Sequence, residues 1–157
     1  MTLARRTFGS PAREQWERTE RWYRRLHSPT DDVHATVDYA LVFFEQIVSL
    51  RDWLVRSREA PQDAVEALFK EPDLRLCRDV ANAAKHLDVS KPSVDSGAFI
   101  AHEWVSDERG AELRVVTSSG NRDLVGLAMA CYDHLRKFLI GQGWDLDARP
   151  ETWPSNR

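Results

Sequence analysis

The stretch from Asp32 to Arg58 constrains the fold more than any other part of the chain. At 100° per residue, His34, Asp38, Glu45, Ser49, Asp52 and Arg56 fall within a strip about 60° wide. Most of the remaining circumference is apolar: Val33, Val37, Ala40, Val42, Phe43, Phe44, Ile47, Val48, Leu50, Leu54 and Val55, with Trp53 expected in the core. A helix with so little polar surface must be surrounded by other helices on most sides. It is expected as the central rod of a bundle.

The flanking segments supply its neighbours. Ser10-Pro11 pairs a capping hydroxyl with proline at the first helical position, and Trp16, Thr19, Tyr23 and Leu26 follow at three- and four-residue steps. Ala60-Pro61 opens a short helix through Phe69, and another begins near Asp73 after Glu71-Pro72. On this fourth helix Leu74, Leu76, Cys77, Val80, Ala81, Ala83, Ala84 and Leu87 take one half of the wheel, and Arg75, Arg78, Asp79, Asn82, Lys85 and His86 the other. Residues 88–97 read as a loop, and Phe99–Val105 with Ala111–Val116 as a β-hairpin. Asn121–Ile140 returns to helical spacing, and Gly141 and Gly143 can end it. The expected fold is mainly α: an up-and-down bundle of four to five helices, with one β-hairpin inserted before the last. One domain is expected over residues 1–157, with 1–9 and 145–157 irregular.

A chain of 157 residues buries roughly 70% of its unfolded surface, enough for a real core. Two cysteines in helical apolar patterns read as free buried thiols. No uninterrupted apolar run approaches the roughly 20 residues that span a bilayer, and Met1–Arg6 lacks a secretory apolar segment. A cytoplasmic location without membrane contact is the expectation. Residues 1–28 hold seven Arg and three Glu, a balance of +4 against −7 for the rest. Glu14–Arg18, Glu17–Arg21 and Glu20–Arg24 have the spacing to pair along a solvated face. The alternative is that the basic segment touches nucleic acid or an acidic partner.

Motifs for nucleotide phosphates, paired-cysteine zinc sites and serine nucleophiles are absent, as is any Glu-x-x-His of a carboxylate-bridged metal bundle. No cofactor or metal is expected, although His34 and Asp38 stand one turn apart and could share a metal with Glu45. The sharper set is Arg78, Asn82 and His86, at i, i+4 and i+8 on one helix face. Arg stabilises developing phosphate charge, His transfers protons near neutral pH, and Asn orients either. Docking of the second helix's acidic strip here would let Asp52 or Glu45 orient His86. The competing reading is that this polar half meets water. His134 is read as a surface or boundary residue.

Residues 78–86, Arg-Asp-Val-Ala-Asn-Ala-Ala-Lys-His, after a long apolar helix containing Leu50-Arg51-Asp52-Trp53-Leu54, resemble a diverged HEPN-type helical domain. They are also similar to uncharacterised bacterial proteins with an Asp-Trp-Leu helix and an Ala-Asn-x-x-Lys-His segment. The likeness spans residues 30–140, but its specific part is these two stretches. It implies a dimer and, for many such domains, metal-independent ribonuclease activity in toxin–antitoxin and phage-defence systems. The family signature is Arg, four to six residues, then His, often with Asn directly after the Arg. Asn82 and His86 match it; Ala81 stands where the Arg belongs. Arg78 and His86 lie about 12 Å apart along the axis, too far to close readily on one phosphate. In a dimer, Arg75 or Arg78 of the other copy would complete the set.

Two functions follow as expectations. The first is a HEPN-like binding module, a homodimer or protein-partner component of a regulatory or defence system, with Lys85, Glu45 and Arg75 as ligand contacts. Acidic balance outside the first helix opposes strong nonspecific nucleic-acid affinity, and the hairpin offers a strand to a partner. The second is a ribonuclease acting on RNA, with His86 as acid or base, Arg78 as phosphate clamp, and Asn82 and Asp52 as orienting groups.

Overall fold

The computed structural model describes residues 10–30, 32–85, 99–106 and 110–147. Five helices and a small antiparallel sheet appear in the order α1 (Pro11–Leu26), α2 (Val33–Arg56), α3 (Gln62–Leu68), α4 (Pro72–Lys85), β1 (Phe99–Ser106), β2 (Gly110–Thr117), β3 (Gly120–Asp123) and α5 (Leu124–Gly141). The fold is mainly helical, with the hairpin ahead of the last helix. The starts are chemically specified. Ser10 Oγ accepts the Arg13 N–H at 3.1 Å, and Asp32 Oδ1 accepts those of His34 and Ala35 at 2.9 and 3.2 Å. Asp123 Oδ2 accepts the Gly126 N–H at 2.6 Å. Each satisfies donors that a helix start leaves open. At the far end of α5, Gly143 takes φ 85°, while Gly143 and Trp144 donate to Ile140 and Leu139. That is a Schellman closure, which the left-handed glycine permits.

Phe43, Phe44, Ile47, Leu50 and Leu54 of α2 are fully buried, together with Trp16, Leu74, Cys77, Leu127, Cys131 and Leu135 of the surrounding helices. Among the described residues α2 is the one helix long and apolar enough to cross a bilayer, a property that uninterrupted runs did not reveal. Here its phenylalanines and leucines form the bundle core. α1 lies antiparallel to α2, Gln15 meeting Gln46 and Trp22 meeting Tyr39. Gln15, itself buried, sets their levels by donating to the Gln46 carbonyl and side-chain oxygen at 3.2 and 2.9 Å. Glu59 Oε2 accepts the Ala12 N–H at 3.1 Å, so the segment after α2 caps the start of α1. On the other side Trp16 and Tyr23 both stack on Tyr132 of α5, with centroids 5.4 and 3.9 Å apart.

Four expectations change. Trp53 is 44% exposed, because it lies one position before Leu54 and thus about 100° outside the arc that Ile47, Leu50 and Leu54 bury. Residues 121–123 are not helical: β3 pairs with β2, Val116 opposite Asn121, and α5 starts only after Asp123. Asp79 is 1% exposed, although the wheel placed it on the polar half of α4. The three i,i+4 pairs of α1 do not form: Glu20 turns to the Tyr132 hydroxyl at 2.9 Å, and Arg18 donates to Gln15 at 3.0 Å.

Candidate functional site

α4 begins at Pro72, whose missing N–H costs nothing in the first turn. Leu74, Cys77, Val80 and Ala81 turn inward. Arg78 and Asn82, one turn apart, are half-buried on the flank of that face, and Arg75 is exposed. Lys85 closes the helix, while His86 and the loop 88–97 lie outside the described residues. Arg78 and Asn82 therefore share a face as their spacing requires.

The acidic strip of α2 does not join them. His34, Asp38, Asp52 and Arg56 are exposed, and Glu45 and Ser49 are half-exposed, on the side opposite the buried phenylalanines and leucines. The Asp52 side chain is 55% exposed and its ion partner is its neighbour Arg51 at 3.6 Å. The expected role of Asp52 in orienting His86 involves a residue outside the described ones. Among the described residues His34 and Asp38 acquire no third ligand, and no group of three His, Cys, Asp or Glu is fit for a metal.

Ala81, where the resemblance would place an arginine, is 1% exposed, packed in the core with Cys77 and Val80. An arginine there would have to bury its charge among apolar side chains, at a cost of several kcal/mol (~3 or more). The helix is thus rotated so that this site cannot deliver a guanidinium to solvent. The Cys77 and Cys131 thiols are free and buried, as the sequence indicated. Burial, and the Cys131 thiol beside it, push the Cys77 thiol far up, so it stays protonated and unreactive.

A second polar cluster escaped the sequence. Asp73, in the first turn of α4, receives Arg122 of β3 at 2.5 Å and His134 of α5 at 3.2 Å. Burial pushes its carboxyl up, but the hydrogen bonds and charges of Arg122 and His134 outweigh this and hold it below its ordinary value. One carboxylate holds an arginine and a histidine from two other elements. The cluster clasps sheet and helices together, and its members are 49 and 61 residues apart, beyond any spacing argument.

No family model matches the chain, nor does any curated protein or solved structure.

Proposed function

We propose that this chain is a HEPN-like helical binding module, a cytoplasmic component of a regulatory or defence system that acts by binding a protein partner rather than by cutting RNA. The observation that carries this reading is the burial of Ala81 at the place of the signature arginine. Nuclease chemistry needs a cation at the phosphate that develops charge and an acid or base within reach. Without an arginine at 81, the nearest preceding one on this helix face is Arg78, eight positions before His86 in the sequence. The exposed carboxylates of α2 would repel RNA rather than hold it.

Purified protein incubated with structured and single-stranded RNAs is expected to leave them intact, with His86→Ala and Arg78→Ala indistinguishable from wild type. The same protein used as bait should retain a protein partner. Cleavage by wild type that His86→Ala abolishes, with helical circular dichroism unchanged, would replace this reading by the ribonuclease one.

A further inference from the structure

Among the described residues Arg58 is the one non-glycine residue in the left-handed region, with φ at 57°. Glycine takes that conformation without penalty, whereas a Cβ there crowds the backbone. The packing of the fold does not explain why an arginine stands at the turn. It is exposed, and among the described residues its guanidinium makes no hydrogen bond or ion pair. A backbone outlier that packing leaves unexplained points to use by a ligand.

Arg58 lines an open cleft of about 430 Å³, together with Val55, Glu59, Ala60, Pro61 and Gln62. That volume lies within the range of small-ligand sites. Half-buried Val55, buried Ala60 and Pro61 give the cleft an apolar wall. Its two charges differ in their surroundings. Glu59 Oε2 accepts the Ala12 N–H at 3.1 Å in the first turn of α1, and the positive end of that helix offsets the carboxylate. The Arg58 guanidinium has no such counterpart.

We propose that this cleft binds the C-terminal carboxylate of a partner protein whose last residue is a small branched aliphatic one. The proposal rests on the binding-module reading and deepens it by naming what the module recognises. A guanidinium offers a carboxylate two parallel N–H donors, a pairing stronger than that of neutral groups. A phosphate, with up to two charges, would be opposed by Glu59 in the same wall. The apolar wall then separates a chain end from an acidic side chain. At a chain end the carboxylate and the side chain share one Cα, so charge and apolar group enter the cleft together. The carboxylate of Asp or Glu ends a stem with no branched apolar group beside it. Capture of a terminal carboxylate is a recurring way to recognise a peptide. Because Arg58 is exposed, the pairing should weaken as salt is raised.

The test is a titration of the isotope-labelled full chain with N-acetyl-Gly-Ser-Val, as free acid and as C-terminal amide. It is followed by the backbone amide resonances of Arg58, Glu59, Ala60 and Gln62. The free acid is expected to shift them saturably, and the amide to bind at least about tenfold more weakly, since the charge-assisted pair is lost. N-acetyl-Gly-Ser-Asp-amide, whose carboxylate is a side chain, should also bind about tenfold more weakly, for want of the buried aliphatic group. Arg58→Gly should cost the same factor as amidation while raising the urea midpoint, so failure to fold cannot imitate the loss. Arg58→Lys keeps the charge without the fork and should fall between. No shift at the cleft, equal binding of the three peptides, or full affinity in Arg58→Gly would overturn the proposal. If bait carrying Arg58→Gly still retains its protein partner, this proposal fails and the binding-module reading stands. RNA cleavage lost in His86→Ala defeats that reading whatever the peptides do.

Discussion

Arg58 holds φ at 57°, the left-handed region, immediately after the α2 cap residue Ser57. Arg58 and Glu59 donate to Val55 and Leu54, the pattern that usually recruits glycine. A side chain in that conformation costs on the order of 1 kcal/mol, so Arg58→Gly is expected to raise the urea midpoint by about that much stability. Glu59→Ala should do the opposite by about 1 kcal/mol, because it uncaps α1 at Ala12. Neither residue announced itself, since an arginine in place of glycine hides the turn and a cap from 47 residues away has no local signature. Tyr132 is the other residue with a measurable signal. Burial, then its hydrogen bond to Glu20, pushes its phenol up to about 12. A group held protonated in the fold contributes stability that is whole below about pH 10 and lost as pH rises toward 12. Tyr132→Phe should flatten that alkaline decline in the urea midpoint.

Elements whose ends carry their own chemistry were legible. Ser10-Pro11, Asp32, Pro72 and the Gly141–Gly143 stop all sit where the helices begin or end. β3 was not, because Asn121–Asp123 belongs to the sheet through pairing with β2 rather than through any apolar alternation of its own. The faces of helices were legible only where the apolar arc was narrow. On α2 nearly every flank is apolar, so the wheel could not say that Trp53 falls outside the buried arc. The clasp of α4, β3 and α5 gives this scale its test. Asp73 has a folded value below its unfolded one, so its contribution is complete above about pH 4 and disappears as pH falls through the folded value. Asp73→Asn should lower stability near neutrality by on the order of 1 kcal/mol. Its stability curve should converge with that of wild type in acid, as read from urea midpoints across the range.

For the molecule as a whole, the uneven charge visible in the sequence becomes a surface property once the helices are placed. The glutamates that might have neutralised α1 along its length do not pair there, and the carboxylates of α2 face outward beside the arginines. On α4, Arg78 and Asn82 lie half-buried on the flank of the inward face, while Ala81 is packed in the core. What the sequence left open was whether the polar strips of α2 and α4 meet, because a helical wheel fixes a residue's angle on its own helix and not the direction of the neighbouring helix. That question bears most directly on whether a catalytic dyad exists. It is settled by following the His86 imidazole resonances through a pH titration in wild type and in Asp52→Asn. The two curves are expected to superimpose, since Asp52 is turned to solvent and Arg51. A lower midpoint in Asp52→Asn would show that this carboxylate stabilises the imidazolium and would contradict the separation of the two faces.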